Sequence, residues 1–257
     1  MIRPAFAGRG LTIALAYRAM KGNRAITTDK KRYLGCLFLA LLIFASCRLP
    51  TLTPATVKTA VATATLVDGS ESFRYLDEAL QGVTGLAKTL QPDDSLWLGA
   101  ISANSAQLID PVYFRPFRAE TIDEIKAYLE KRRRLQSEID HWFTKVKESK
   151  QSSSDVCSAM HSAIYALHQA PATRKLLLVY SDFNDNVTRE CNFSLTGIEV
   201  RLLYVYPADR NPRKYREYAA HVKELIEVGH PASLEVLFPV QAKTFDPEKF
   251  ISVLRGE

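Results

Sequence analysis

The chain contains few of the residues that define several common protein classes. Its 257 residues include only four cysteines and five histidines. Four cysteines in a chain of this length exclude a small scaffold held together by disulfides. The histidines form no His-Glu-x-x-His motif, so a zinc peptidase of that kind has no support. Hydrophobic residues make up 47% of the chain and charged residues 24%, which excludes disorder throughout and is enough for one α/β core.

The part of the chain expected to fold lacks an excess of positive charge. The formal net charge is +6, but residues 1–47 hold eight Lys or Arg and one acid, Asp29. From residue 48 onward there are 26 basic and 27 acidic side chains. Because a nucleic-acid binder carries its basic excess in the domain that meets the phosphates, this balance argues against nucleic acid as a partner.

The apolar run near the N-terminus is too short to cross a membrane as a helix. Residues 33–46 carry no charge and follow Lys30, Lys31 and Arg32. A membrane-spanning helix needs about 20 apolar residues, and this run is shorter. A charged segment followed by a short apolar one is typical of an export signal.

The end of this run resembles a bacterial lipobox, in which a lipid is attached to a cysteine that follows small residues. Ala45 and Ser46 precede Cys47 here. The resemblance implies a lipoprotein of the bacterial cell envelope, anchored outside the cytoplasm through Cys47. We therefore divide the chain into an N-terminal extension and signal (1–47), a Thr- and Pro-rich tether (48–59) and a folded domain (60–257). An ordinary cleaved signal and an uncleaved anchor are the alternatives.

Export also determines the expected state of the cysteines, because disulfides persist outside the cytoplasm. With Cys36 in the signal and Cys47 carrying lipid, Cys157 and Cys191 remain, and we predict a disulfide between them. Two separate buried thiols are one alternative. A zinc site that adds His161, one helical turn from Cys157, is the other.

The apolar pattern predicts strands that alternate with helices. A Thr121-x-x-Glu124 capping box predicts the start of a long helix, and Pro111 places one strand at an edge of the sheet. This order of elements predicts an α/β fold, a Rossmann-like doubly wound and mostly parallel sheet with helices on both faces. The predicted strands are 61–67, 96–103, 107–113, 175–180, 198–206 and 234–240, and the predicted helices are 73–90, 121–147, 155–168, 215–228 and 247–254.

Oxygen-bearing side chains follow the predicted strands at one edge of this sheet. Asp68, Ser70 and Ser72 come after the first strand, Ser181 and Asp182 come after the strand at 175–180, and Ser154 precedes a helix. In such sheets, ligands bind beyond the carboxyl ends of the strands. The pattern therefore predicts a site made of oxygen donors.

Asp-x-Ser-x-Ser, a hydroxyl-Asp pair opening a middle helix, and an Asp after the next strand together resemble a von Willebrand factor A (VWA) domain. The resemblance covers about residues 58–255. It implies a metal-ion-dependent adhesion site with Asp68, Ser70, Ser72, Ser154 and Asp182 as ligands. The ion would be Mg²⁺, Mn²⁺ or Ca²⁺, hard cations that take oxygen ligands. The family uses such an ion to bind a carboxylate of a partner protein, so the resemblance implies a protein-binding module, not an enzyme.

Other functions for the same residues stay open. A metal-dependent phosphoester hydrolase could use the same oxygen cluster, although no nucleophile or general base stands out. The Asp-x-Asp that an aspartate-based phosphatase needs is absent, and so is Gly-x-Ser-x-Gly. In a metal-free structural domain, Asp68 and Ser70 would form a turn and a helix N-cap, and Ser154 and Asp155 would cap the middle helix.

Overall fold

A computed structural model describes residues 59–103, 109–117, 119–149, 152–184 and 191–257. The predicted signal, the lipidation site Cys47 and nearly all of the tether lie outside these ranges. The strands are β1 (Val61–Asp68), β2 (Ser95–Ile101), β3 (Val112–Phe114), β4 (Arg174–Tyr180), β5 (Ile198–Leu203) and β6 (Ser233–Leu237). The helices are α1 (Leu76–Thr89), α2 (Ile122–Ser149), α3 (Val156–Gln169), α4 (Tyr215–Glu227), α5 (Pro239–Ala242) and α6 (Pro247–Arg255).

The six strands form one sheet in the order β3-β2-β1-β4-β5-β6. All neighbours pair in parallel except the edge strand β3, which runs antiparallel to β2. Strand β1 lies at the centre, and all eight of its residues are buried. This order confirms the predicted doubly wound α/β fold, including the edge position that Pro111 indicated.

Helices cover both faces of the sheet and produce two apolar layers. In β4, Leu176 and Leu178 face the layer formed with α1, α2 and α6, whereas Leu177 and Val179 face the layer formed with α3 and α4. Because successive side chains of a strand point to opposite faces, an unbroken apolar run is what a strand covered on both sides requires. No helix in the described ranges is long and apolar enough to span a membrane.

Several predicted boundaries are wrong. The last strand ends at Leu237, because Pro239 has no N–H to donate to a sheet and instead opens α5. Strand β5 ends at Leu203, and Tyr204 takes a left-handed backbone with φ of 66°. Helix α1 begins at Leu76 and leaves Phe73 in the preceding loop. The predicted strand at 107–113 is reduced to Val112–Phe114, and part of it lies outside the described residues.

A buried ion pair fixes the C-terminal helix below the amino ends of the strands. The Arg255 guanidinium contacts the Asp94 carboxylate and donates to the Thr89 carbonyl at 3.0 Å. Asp94 also accepts from the Val61 N–H at 2.9 Å and from the Gln91 N–H at 2.7 Å. Both charged side chains are almost completely buried, so α6, β1 and the α1–β2 loop are joined at one point.

Candidate metal centre

Asp68 is the last residue of the central strand, and its carboxylate lies at the carboxyl edge of the sheet. The register pairs Val67 with Tyr180, which brings the next residues, Asp68 and Ser181, side by side. The Ser181 hydroxyl donates to Asp68 Oδ2 at 2.6 Å, and the Ser70 N–H donates to Oδ1 at 2.8 Å. Asp68 is 1% exposed.

The loop after β1 presents two hydroxyls beside this carboxylate. Ser70 Oγ and Ser72 Oγ are 3.0 Å apart, and the Tyr206 hydroxyl donates to the Ser72 carbonyl at 2.9 Å. Asp68 accepts a hydrogen bond from the Ser70 N–H and so closes a turn, as the alternative of a metal-free structural domain predicted. The same alternative predicted that Ser70 caps the following helix. This part is wrong, because the N-cap of α1 is Tyr75.

Asp182 is completely buried and follows β4. Its Oδ1 accepts from the Asn184 N–H at 3.0 Å. Its Oδ2 is buried and has no hydrogen-bond partner within the described part of the chain. The next residue, Phe183, has φ of 61°, a left-handed conformation that costs a residue with a side chain roughly 1–2 kcal/mol. The turn is held by the Phe183 N–H, which donates to Ser181 Oγ at 2.9 Å.

Ser154 reaches the site from the loop before α3. It is fully buried, and its hydroxyl donates to the Asn184 carbonyl at 3.3 Å. The cap of α3 is Asp155, which accepts from the Ser158 N–H at 2.9 Å, so capping accounts for Asp155 and not for Ser154. Hydrogen bonds and chain neighbours connect all five predicted ligands in one network, Asp68, Ser70, Ser72, Ser154 and Asp182.

The site has an excess of negative charge. The pKa of Asp68 is raised from 3.8 to about 6, mainly by burial and also by the nearby Asp182 carboxylate, while hydrogen bonds from Ser181 and Ser70 oppose the rise. Burial and Asp182 also raise the pKa of Tyr206. Among the residues the structure describes, no Lys or Arg forms an ion pair with Asp68 or Asp182. A bound cation would supply the missing positive charge.

The donor set fits a hard divalent ion. Two carboxylates and three hydroxyls are oxygen donors, the type that Mg²⁺ and Ca²⁺ take. The unpartnered Asp182 Oδ2 is an acceptor that such an ion would occupy. Clusters of three or more His, Cys, Asp or Glu that could hold a metal are absent from the described ranges; the predicted ligand set contains only two such residues, Asp68 and Asp182.

Three residues outside the predicted ligand set support this network. Ser181 was placed at the site but not among the ligands, and it bonds Asp68 directly. Asn184 connects Asp182 to Ser154. Tyr206, three residues after β5, donates to the Ser72 carbonyl. The signal for Ser181 was its place after an apolar strand, and the signal for Tyr206 was its place at the end of the predicted strand 198–206. No signal in the sequence pointed to Asn184.

The predicted disulfide partners meet next to the site. Cys157 lies in the first turn of α3, three residues after Ser154, and a disulfide joins it to Cys191 with a Cα–Cα distance of 5.5 Å. With the two sulfurs bonded to each other, neither is a thiolate ligand for the alternative zinc site with His161.

The raised pKa of Asp68 predicts a pH dependence of stability without metal. Because the folded-state pKa is above the unfolded value of 3.8, stability from this group is full below pH 3.8 and falls as the pH rises to about 6. At roughly 1.4 kcal/mol per pKa unit, the loss is about 3 kcal/mol by pH 7. Urea unfolding between pH 4 and pH 7 with a chelator should show this loss in wild type and not in Asp68→Asn. Glu71→Gln, at an exposed position, serves as the control. If stability falls between pH 4 and pH 7 in Asp68→Asn as much as in wild type, the loss does not come from Asp68.

Comparison with known proteins gives structural matches only. Neither a protein-family profile nor a curated protein matches the sequence. The PilB minor pilin from Streptococcus sanguinis matches with 10% identity and a TM-score of 0.42, over 79% of this chain and 62% of that one. A von Willebrand factor type A protein from Catenulispora acidiphila matches with 12% identity and a TM-score of 0.42, over 75% and 42%. The pilus adhesin SpaC from Lactobacillus rhamnosus GG matches with 10% identity and a TM-score of 0.42, over 77% and 30%.

The chain thus spans 62% or less of the length of each of these three structures. At these identities and scores the matches carry no inference about ligands or partners. The order and direction of the strands establish the fold as a doubly wound α/β sheet.

Proposed function

We propose that residues 60–257 form a VWA-like module that binds another protein through a divalent ion held by Asp68, Ser70, Ser72, Ser154 and Asp182. One observation carries the proposal: Asp182 Oδ2 is buried without a partner in the described structure, next to the buried Asp68 carboxylate. Two buried carboxylates without a positive charge beside them are costly. A divalent ion between them removes that cost.

The five proposed residues supply two kinds of ligand. The carboxylates of Asp68 and Asp182 supply negative charge, and the hydroxyls of Ser70, Ser72 and Ser154 supply neutral donors. When bound, Mg²⁺ keeps residual positive charge that attracts a carboxylate from a partner protein. A cleft of about 430 Å³ opens beside Asp68, between the β1–α1 loop and α2, and gives a partner side chain room to approach. We propose no catalytic step.

The proposed location is the outside of a bacterial cell envelope, with a lipid anchor at Cys47. The support is the charged and apolar pattern of residues 30–46 and the small residues before Cys47. The disulfide between Cys157 and Cys191 suits an oxidising compartment. Lipid labelling that requires Cys47 is the measurement for the anchor.

The metal proposal is tested by calorimetric titration of the purified chain with Mg²⁺ and Mn²⁺. We expect one site in wild type and no measurable binding in Asp68→Ala or Asp182→Ala, because each removes a charged ligand. Asp209→Ala, an acid paired with Lys214 on an exposed loop, should bind as wild type does. Absence of binding to wild type at millimolar ion contradicts the proposal and favours a metal-free structural domain. Turnover of a phosphate ester that Asp68→Ala abolishes would favour the hydrolase.

A further inference from the structure

A cleft of about 850 Å³ lies between strands β2 and β3 and helix α3, and none of the proposed metal ligands lines it. Pockets that bind small molecules have volumes of about 300–1,000 Å³. Helix α3 packs on β1 and β2, whereas the helix that packs on β3 is α2, on the opposite face of the sheet. The cleft occupies the space that α3 leaves open at this edge of the sheet.

Trp97 lines the cleft with its ring laid along the sheet. It lies in β2, and its six-membered ring covers Gly99, two residues further along on the same face of the strand. A methyl group on Gly99 would lie 2.2 Å from Cη2 of the indole, so glycine is what leaves room for the ring there. The α3 residues that line the cleft include small side chains three or four positions apart, Ala159, Ser162 and Ala166. Glycine on the strand and small residues on the helix therefore keep space around an aromatic ring.

Two exposed tyrosines extend this aromatic surface. Tyr113 is the cross-strand partner of Trp97 in the β2–β3 register and is 40% exposed. Tyr165 lies on α3 and is 67% exposed. The Arg115 guanidinium covers one face of the Tyr113 ring, with its carbon 5.3 Å from the ring centroid. Within the described ranges no further ring or cation stacks on any of these three aromatic side chains, so their surface is available to a ligand.

Hydrogen-bonding side chains lie among these rings. Asp110 and Arg115 flank β3, and His161 and Gln169 belong to α3. The carboxylate accepts hydrogen bonds, the guanidinium donates them, and the imidazole and amide do both. Among the described lining residues there is one acid and one guanidinium, so the formal charge is zero with histidine neutral. The lining thus complements an uncharged ligand that both donates and accepts hydrogen bonds.

We propose that this cleft binds an uncharged carbohydrate, a short chain of pyranose sugars. A pyranose ring has a face of C–H groups, which packs on an aromatic ring, and hydroxyls around its edge, which donate and accept hydrogen bonds. The three aromatic side chains contact the C–H faces, and the four polar side chains bond the hydroxyls. Proline-rich peptides also bind grooves lined by aromatic rings, but they need few hydrogen-bonding partners, so the polar groups here favour the sugar.

The test titrates the full-length chain with uncharged tetrasaccharides and follows the indole N–H signals by NMR. The panel consists of maltotetraose, cellotetraose, mannotetraose and fully N-acetylated chitotetraose. The chain has two tryptophans, Trp97 and Trp142. We expect at least one sugar to saturate at millimolar concentration and to shift the Trp97 signal. The Trp142 signal, from α2 and outside the cleft, should stay unchanged.

Variants of exposed lining residues test the contacts without disturbing the core. Tyr165→Ala and Arg115→Ala should each weaken sugar binding about tenfold, equivalent to about 1.4 kcal/mol, because they remove a stacking ring and a hydrogen-bond donor. His168→Ala, an exposed ring on α3 that does not line the cleft, should bind as wild type does. Asp68→Ala should retain sugar binding, so the result is independent of the proposed metal centre.

Three outcomes overturn the proposal. One is that no sugar of the panel shifts the Trp97 signal, and another is that Tyr165→Ala and Arg115→Ala both bind the sugar with wild-type affinity. The third is that a tetraproline peptide saturates the Trp97 signal more tightly than every sugar, which assigns the cleft to a proline-rich partner.

Discussion

Replacing Arg255 by methionine is expected to lower the free energy of unfolding by about 3 to 5 kcal/mol, the range found when one partner of a buried ion pair is removed. Arg255 and Asp94 are both almost fully buried, and their side chains bond each other. Methionine fills similar space but leaves the Asp94 carboxylate charged and without its cation. The Thr89 carbonyl also loses its donor.

Urea or guanidinium unfolding of wild type and Arg255→Met measures this effect. Arg216→Met is the matched control, since Arg216 is exposed on α4, and surface substitutions change stability by about 0.5 kcal/mol or less. The double variant Asp94→Asn/Arg255→Met should recover part of the loss, because it buries no unpaired charge. Equal stability of Arg255→Met and the control would show that the pair contributes nothing to the fold.

The second large effect concerns the disulfide between Cys157 and Cys191. The two residues are 34 positions apart, and closing a loop of that length stabilises the fold by roughly 3 to 4 kcal/mol in the chain-entropy model. We expect no free thiol from Cys157 or Cys191 in the denatured, unreduced chain, and a stability loss of this size after reduction. The variant Cys157→Ser/Cys191→Ser should match the reduced protein.

Reduction should also weaken Mg²⁺ binding if the proposed metal centre exists. Cys157 lies three residues after Ser154, and Cys191 lies nine residues after Asp182 in the sequence. The bond therefore restrains the two segments that supply these ligands. If a thiol reagent reacts with both cysteines in the denatured chain before reduction, there is no disulfide, and the alternative of two buried thiols is supported.

The sequence predicted the fold well because strong local patterns agreed with the tertiary structure. The apolar run at 175–180 predicted a strand covered on both faces, and β4 has that position. The Thr121-Glu124 capping box is present, with the Thr121 N–H donating to Glu124 Oε2 at 2.8 Å. Boundaries failed where one residue overrode the pattern, as Pro239 did by ending the last strand early.

The sequence by itself determined which oxygen-bearing side chains reach the carboxyl edge of the sheet, because in a parallel sheet the residue after each strand must lie there. Only the tertiary structure decided what those side chains meet. The register of β1 and β4 places Ser181 on Asp68, and the left-handed turn at Phe183 brings Asn184 between Asp182 and Ser154. The close approach of Glu248 to Gly85 of α1 also joins two segments more than 150 residues apart in the chain. Pairings between residues so distant in the chain are set by packing of the whole domain, which no local pattern records.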